Sequence, residues 1–359
     1  ILFLHCYTSF KKRINRKKNT LLFSNDLDEI NSFEFQITSQ NNEDGIIEHI
    51  FSKIPNKKTF VEIGLTYNEF NTLNLIKNGW EGSLIEIQKD ECVVVQSLIK
   101  HFYPKSTVEI VNASINKKNI NEIVFGTNND KKIDFFSIDI DGNDYHVFEG
   151  INEFKPKIII IEYNPTIPND VEFIQKKDLN ISQGSSAKAI FNLAKQKNYF
   201  LIAATSTNLF FVHENYKELI VDKEYQLEEI RDDSSCRNYI FTGYDGKIFT
   251  SKKLHLKWHN LEIKEIKYLP KILQKIPLNF NKIEKFLFYL FKFYKYPITY
   301  FKRYSGPQII YKKLKSIKNN ETYSGNLSNY KMQNQDLAKK TIRSIKFSKI
   351  YIDIIKSLS

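Results

Sequence analysis

Three aspartates follow an apolar run in the stretch IDFFSIDIDGNDYHVFEG, residues 133–150. Asp139, Asp141 and Asp144 lie within six positions of one another and are interrupted by a single glycine. Carboxylates in such a place can take the proton of a reacting hydroxyl group, or they can bind a divalent cation. The alternative is an ordinary aspartate–glycine turn.

Other short apolar runs also end in acidic or amide side chains. The residues at these ends are Glu62 with Gly64, Glu86, Asn112, and Glu162 with Asn164. If the runs are parallel strands, their carboxyl ends meet at one edge of the sheet, where such folds bind ligands. Five aligned strand ends therefore favour a functional site over a simple turn.

Apolar runs alternate with amphipathic stretches along the middle of the chain. Strands are predicted at 59–64, 82–87, 107–113, 132–139 and 155–164, and helices at 70–79, 90–102, 116–126, 144–151 and 185–198. Residues 199–214 predict two more strands joined by a tight turn. This order predicts an α/β domain, a Rossmann-like doubly wound sheet with helices on both faces.

The net charge of +12 is unevenly distributed over the 359 residues. Residues 251–359 carry a net charge of +18 and residues 1–19 carry +6, whereas residues 20–250 carry −12. A domain that binds nucleic acid is basic over its own surface, so no nucleic-acid partner is expected for the middle of the chain. Cys6, Cys92 and Cys236 are far apart, which predicts a reduced, cytoplasmic protein.

Composition predicts four segments. These are a basic and polar N-terminal segment (1–50), the α/β domain (51–215), an accessory segment packed on it (216–279) and a basic, aromatic, mostly helical C-terminal extension (280–359). Residues 282–304 mix Phe, Leu and Tyr with lysines. Such a helix either packs on the domain or makes peripheral contact with a polyanionic glycan or with an anionic membrane on its inner, cytoplasmic face.

The loop after the first predicted strand constrains the ligand. A dinucleotide calls for the pattern G-x-G-x-x-G at this position, whereas the stretch EIGLTYNEFN, residues 62–71, has one glycine. S-adenosylmethionine carries a cationic sulfonium and no phosphate, which suits an acidic loop poor in glycine. Glu86, at the end of the second strand, can accept hydrogen bonds from a ribose diol.

Several blocks resemble bacterial FkbM-like methyltransferases in order and spacing, over about residues 58–214. They are FVEIG, NTLNLIKNGWEGSLIE, DFFSIDIDGNDYHVFEGI, KPKIIIIEYNP and SQGSSAKAIFNLAKQKNYFLIAATSTNLFFV. The resemblance implies a class I methyltransferase fold of about seven strands, the last antiparallel. It also implies an S-adenosylmethionine-dependent O-methyltransferase acting on a sugar hydroxyl of a surface glycan or natural product.

Relatives have a longer first loop with a second glycine. The shorter loop here leaves a second hypothesis, an inactive module that binds a glycan or a protein.

The resemblance also implies roles for single residues. Glu62 and Gly64 shape the methionine end of the cofactor site, Glu86 holds the ribose, Asn112 and Ala113 lie near the adenine, and Asp139 borders both cofactor and acceptor. Asp139 is the nearest candidate for the catalytic base, with Asp141 and His146 behind it. The other interpretation of His146 is a packing or hydrogen-bonding residue.

A metal site is an open alternative at the same place. Asp139, Glu162 and Asn164 form an all-oxygen set at adjacent strand ends. Hard cations such as Mg²⁺ prefer oxygen ligands, and a bound cation would acidify a substrate diol. The competing hypothesis is that the same side chains form hydrogen bonds around a sugar.

Overall fold

The computed structural model describes residues 6–7, 10–11, 19–20, 30–127, 132–256, 259–263 and 266–295. The chain forms two compact units, residues 1–239 and residues 240–359. The first unit is built on one seven-stranded sheet. Its strands are β1 (Thr59–Ile63), β2 (Glu81–Glu86), β3 (Val108–Asn112), β4 (Phe135–Ile138), β5 (Ile158–Glu162), β6 (Tyr199–Ala204) and β7 (Asn208–His213).

The sheet has the strand order β3-β2-β1-β4-β5-β7-β6. Strands β1 to β5 are parallel, and β7 runs antiparallel to both of its neighbours. This confirms the predicted doubly wound sheet with an antiparallel last strand. The central strands are apolar along their length, as in the IIIIE of β5, because both faces of a parallel sheet are covered.

Helices cover both faces of the sheet. They are α1 (Glu43–Lys53), α2 (Leu73–Lys77), α3 (Lys89–Phe102), α4 (Ile120–Thr127), α5 (Asp144–Gly150), α6 (Ala187–Gln196) and α7 (Leu227–Ile230). Alternate strand residues enter two separate apolar cores. Phe60 and Phe135 pack with α1, α2 and α3, whereas Val61 and Phe136 pack with α4, α5, α6 and α7. The strand alternation thus divides the interior into two layers.

Several described residues before β1 pack on the sheet. Phe10 and Ile30 are buried in the core that α1, α2 and α3 also enter. Asp44 at the start of α1 accepts hydrogen bonds from the backbone N–H groups of residues 37, 38 and 39. Residues 30–50, which composition assigns to the N-terminal segment, therefore contribute buried apolar side chains to the core of the first unit.

The first unit extends to Tyr239. Ile220, Leu227 and Ile230 are buried in its cores, so residues 216–239 belong to it. The unit boundary divides the segment 216–279 that composition had predicted as one piece.

The second unit is described as far as residue 295. It contains the antiparallel pairs β8 (Ile240–Thr242) with β9 (Ile248–Thr250) and β10 (Leu254–Leu256) with β11 (Leu261–Ile263), then helix α8 (Lys282–Lys295). The rest of the predicted extension, residues 296–359, lies outside the described residues. Within the described part of the chain, every helix is too short or too polar to cross a bilayer.

Gly64 joins the ends of β1 and β4. Its φ is +77°, and a Cβ at this position would lie 1.6 Å from the carbonyl oxygen of Asp139. The Gly64 N–H donates to the carbonyl of Ile85 at 2.9 Å, and the Asp139 N–H donates to the carbonyl of Ile63 at 2.9 Å. Only glycine fits between these backbones.

We expect Gly64→Ala to destabilise the protein by more than about 2 kcal/mol, because it adds a backbone collision to a left-handed φ. Gly79→Ala is the matched control, since Gly79 has the same φ of +77° and a Cβ added there would meet nothing within 4 Å. The control should cost only about 1 kcal/mol. Urea unfolding of both variants measures the difference, and equal losses would show that the close approach to Asp139 does not constrain the site.

Candidate functional site

The parallel strands bring the predicted polar residues to one edge of the sheet. Ile63 of β1 is in register with Ile138 of β4, which is in register with Ile161 of β5. Glu86 and Asn112 end the neighbouring strands β2 and β3 in register. Side chains that follow these ends therefore converge on one edge.

Glu62 holds the end of the loop after β1. Its carboxylate accepts the N–H of Asn71 at 2.7 Å, the N–H of Thr72 at 3.0 Å and the hydroxyl of Thr72. Only 1% of the residue is exposed, and burial raises the pKa of this carboxyl to about 7. Glu62 thus fixes the course of the loop by accepting hydrogen bonds from the loop's backbone N–H groups.

Glu86 holds the start of the same loop. One carboxylate oxygen accepts the N–H of Leu65 at 3.1 Å, and the other accepts the N–H of Gln88 at 2.7 Å. Glu91 of α3 accepts the N–H of Tyr67 at 3.0 Å. Sequence reasoning missed Glu91, because nothing in the pattern of an amphipathic helix marks which of its acids faces a loop.

Asn112 and Ala113 fix the turn that follows Glu86. The Asn112 side-chain amide donates to the carbonyls of Glu86 and Ile87 at 3.0 and 2.8 Å. The Ala113 N–H donates to the Glu86 carbonyl at 3.1 Å. Ile87 is 60% exposed beside this turn, which places an apolar surface next to Glu86 that the sequence analysis did not identify.

Asp144 is the turn-forming member of the aspartate cluster. Its carboxylate accepts the N–H groups of Ile140 and Gly142 at 2.8 and 2.9 Å. The side chain is buried, and burial raises the pKa to about 6. The geometry of Asp144 therefore matches the alternative of an aspartate–glycine turn.

Asp139 and Glu162 form a hydrogen-bonded carboxyl pair between the ends of β4 and β5. Burial, together with the charges of Asp144 and Asp141, raises the pKa of Asp139 well above its usual range. Burial and the charge of Asp139 raise the pKa of Glu162 to about 11. The pair therefore retains a proton at neutral pH, because two adjacent carboxylates in a desolvated place cannot both ionise.

Asp141 completes the cluster from the exposed side. Its φ of +55° is in the left-handed region, which a short polar side chain tolerates. Among the described residues, Asp139, Asp141 and Glu162 each offer a carboxylate oxygen, and these oxygens lie within 4.8 Å of one another. Hard cations favour such a donor set.

Asn164 lies at the end of β5 but is engaged within its own loop. Its side-chain oxygen accepts the N–H and the hydroxyl of Thr166 at 2.9 and 2.6 Å, and its amide donates to the carbonyl of Gln183. The third member of the oxygen set is thus Asp141 where the sequence predicted Asn164.

Both ring nitrogens of His146 face protein partners. Nε2 lies 2.8 Å from the carbonyl oxygen of Gln175, and Nδ1 lies 3.5 Å from a carboxylate oxygen of Glu149. This geometry matches the hydrogen-bonding interpretation of His146. It gives no support to the predicted role as a base.

Gln175 organises the long loop between β5 and α6. It is 1% exposed, and its side chain bonds the backbone of Ile181, Gln183 and Gly184 at 2.6 to 2.8 Å. Together with His146 it ties this loop to α5. The sequence held no signal for this role, because Gln175 stands in a run of exposed residues, both apolar and charged, from which it does not differ in pattern.

Arg231 holds the beginning of the same loop. Its guanidinium donates to the carbonyls of Pro165 and Ile167 at 2.9 and 3.0 Å and lies 4.7 Å from the ring centre of Tyr163. Only 6% of Arg231 is exposed. Residues beyond the sheet therefore position the loop that borders Glu162.

Comparisons with known proteins identify the domain. Residues 52–201 match the sequence model of the Methyltransferase FkbM domain, and the comparison with curated proteins finds no match. Among solved structures, the chain is similar to monomeric WbdD, with 16% identity, a TM-score of 0.30, and coverage of 44% of this chain and 36% of WbdD. The chain thus spans about a third of the length of WbdD.

Two further solved structures are similar over nearly half of this chain. A SAM-dependent methyltransferase from Aquifex aeolicus is 10% identical, with a TM-score of 0.30 and coverage of 48% of this chain and 88% of that one. The glycopeptide N-methyltransferase MtfA, solved with S-adenosyl-L-methionine, is 9% identical, with a TM-score of 0.26 and coverage of 45% and 83%. The family match at residues 52–201 covers β1 to β5 and the acidic side chains at their ends, so this part of the chain is similar to the Methyltransferase FkbM domain.

Proposed function

We propose that the domain transfers the methyl group of S-adenosylmethionine to a hydroxyl oxygen of a sugar, in a surface glycan or a natural product. One observation carries the cofactor assignment. Carboxylates engage the backbone N–H groups of Leu65, Tyr67, Asn71 and Thr72 in the loop after β1. A dinucleotide would need such amides for its diphosphate, whereas a cationic sulfonium is attracted by the carboxylates.

Glu86 and its neighbours suit the nucleoside end of this cofactor. Each Glu86 oxygen accepts one backbone N–H, so each keeps a lone pair for a ribose hydroxyl. The exposed side chain of Ile87 offers an apolar surface to a purine, beside Asn112 and Ala113. Glu62 and Gly64 hold the loop at the methionine end.

The Asp139–Glu162 pair suits proton removal from the acceptor. S-adenosylmethionine supplies an electrophilic methyl group. As the acceptor oxygen bonds to the methyl carbon, the carbon–sulfur bond breaks, its electron pair goes to sulfur, and the hydroxyl proton passes to a base. Glu162, whose pKa is raised by burial and by the charge of Asp139, holds the shared proton and donates a hydrogen bond to Asp139. Asp139 is then the ionised member that accepts the new proton.

A bound divalent cation is the alternative to a shared proton at the same cluster. Asp139, Asp141 and Glu162 would hold Mg²⁺ in place of the shared proton, and their all-oxygen chemistry fits that ion. The ion would lower the pKa of an acceptor hydroxyl. The second candidate function, an inactive module that binds a glycan or a protein, is favoured by the short loop after β1, and cofactor binding separates the two.

We expect Glu86→Ala to weaken binding of S-adenosylhomocysteine by about 1.5–3 kcal/mol, roughly 10- to 150-fold, because charged hydrogen bonds to the ribose would be lost. Titration calorimetry gives this value. Glu81→Ala, at the exposed start of the same strand, is the control and should bind as wild type does. Unchanged affinity of Glu86→Ala would move the ribose contact elsewhere, and no binding by wild type would favour the inactive module.

The raised pKa of Glu162 predicts a specific pH dependence of stability. A carboxyl whose folded pKa of about 11 exceeds its unfolded value of 4.5 stabilises the fold most at low pH, and this contribution falls as pH rises. Glu162→Gln removes the titration and keeps a donor to Asp139. Its melting temperature should therefore exceed that of wild type by several degrees at pH 8 and match it near pH 4.

Differential scanning fluorimetry from pH 4 to pH 9 tests this expectation. The exposed Glu153→Gln should follow the wild-type curve throughout. Addition of MgCl₂ at pH 8 should raise the wild-type melting temperature, but not that of Glu162→Gln, if the cluster binds the cation. Parallel wild-type and Glu162→Gln curves would show that Glu162 is ionised in the folded protein and that the shared proton does not exist.

Asp139→Asn should retain S-adenosylhomocysteine binding and lower turnover by about 100-fold or more, since the base is lost while the contacts at β2 and β3 remain. Turnover is measured as S-adenosylhomocysteine release with a panel of free and nucleotide-linked sugars. Asp222→Asn, an exposed substitution of the same kind, is the control. Loss of wild-type turnover in EDTA, restored by Mg²⁺, would assign the metal mechanism. An active Asp139→Asn enzyme would remove Asp139 from the chemistry.

A further inference from the structure

Helix α8 of the second unit packs through a narrow inner face. Phe288 lies 5.3 Å from Phe280 and Phe291 lies 6.0 Å from Tyr268, measured between ring centres. Glu284 is buried on the same side and pairs with Lys275 at 2.6 Å. These contacts orient the helix within its unit.

The opposite face of α8 is apolar and exposed. Ile283, Phe286, Leu290 and Tyr294 are 69%, 66%, 53% and 77% exposed. Their spacing of three and four residues puts them in one stripe along the helix. An amphipathic helix of a globular protein normally turns such a stripe inward, so this one presents its apolar side to the surroundings.

Basic side chains accompany the stripe. The helix contains Lys282, Lys285, Lys292 and Lys295, and its single acid, Glu284, faces inward and is neutralised by Lys275. Lys282 and Lys285 are exposed beside the stripe, whereas Lys292 lies 4.7 Å from the ring centre of Phe288. The outward side of the helix therefore combines apolar side chains with positive charge. Residues 251–359 share this bias, with 24 Lys and Arg against 6 Asp and Glu.

We propose that α8 docks on the surface of an anionic lipid bilayer, with the stripe in the boundary between headgroups and acyl chains and the lysines at the lipid phosphates. A nucleic acid or a polyanionic glycan would match the charge but would leave the stripe in water. The 14 residues of the helix span about 21 Å, which is less than the roughly 30 Å hydrocarbon core. The helix therefore lies on the bilayer.

Sedimentation of the full chain with vesicles tests the proposal. Wild type should bind vesicles of phosphatidylcholine with 30% phosphatidylglycerol at least about 10-fold more strongly than vesicles of phosphatidylcholine alone, and salt should weaken the binding. Phe286→Ser with Leu290→Ser should reduce the partition coefficient at least about 10-fold, since two apolar side chains no longer enter the interface. Lys282→Gln with Lys285→Gln should reduce the preference for the anionic lipid.

Matched controls test whether vesicle binding depends on α8 rather than on exposed residues elsewhere. Val93→Ser with Leu219→Ser changes exposed apolar residues of the first unit, and Lys100→Gln with Lys105→Gln changes its lysines; both should bind vesicles as wild type does. The proposal would be overturned if Phe286→Ser with Leu290→Ser bound vesicles as wild type does, or if wild type showed no preference for anionic vesicles. If light scattering shows that wild type is a dimer and that this variant is a monomer, the face binds a second copy of the chain instead. Unchanged S-adenosylhomocysteine binding in every variant keeps this test independent of the catalytic assignment.

Discussion

Hydrogen bonds from backbone N–H groups to carboxylates are the constraint on which the acidic edge of the sheet depends. Glu62, Glu86 and Glu91 each fix part of the loop after β1, and Asp144 fixes the loop after β4. A buried carboxylate is tolerated only when such donors replace water, so loop and acid stabilise each other. The loop needs no second glycine, because its course is set by these carboxylates instead of by a phosphate.

Asp139 and Glu162 differ from these acids, because within the described part of the chain no backbone N–H group donates to their carboxylates. Asp139 and Glu162 bond to each other, and their pKa values rise since burial and neighbouring acids disfavour a second negative charge. The pair must therefore hold a proton or attract a cation, and either state prepares it to take part in proton transfer. Gly64 makes this possible by letting β1 approach the backbone of Asp139 closely.

The sequence predicted the architecture better than the roles within it. Alternating apolar runs specify strands and their burial locally, so the parallel sheet and its polar edge were predictable. The antiparallel last strand followed only from the resemblance to FkbM-like methyltransferases. Asp139 and Asp144 could not be told apart, since one faces Glu162 and the other faces backbone N–H groups of its own loop only after folding. Gln175 and Arg231 were missed for the same reason: their buried partners lie on segments separated in sequence, and composition there resembles a solvated surface.

The division of charge along the chain agrees with the two proposals, cofactor binding by the acidic first unit and lipid docking by the basic helix α8. The acidic edge of the first unit attracts a sulfonium and repels phosphate, which also disfavours contact between that edge and an anionic surface. Any attachment to such a surface must then come from residues of opposite charge. Helix α8 supplies lysines and an outward apolar stripe together, and that combination distinguishes a lipid interface from a purely electrostatic partner. The net charge of +12 does not show this division, because it sums an acidic domain with basic ends.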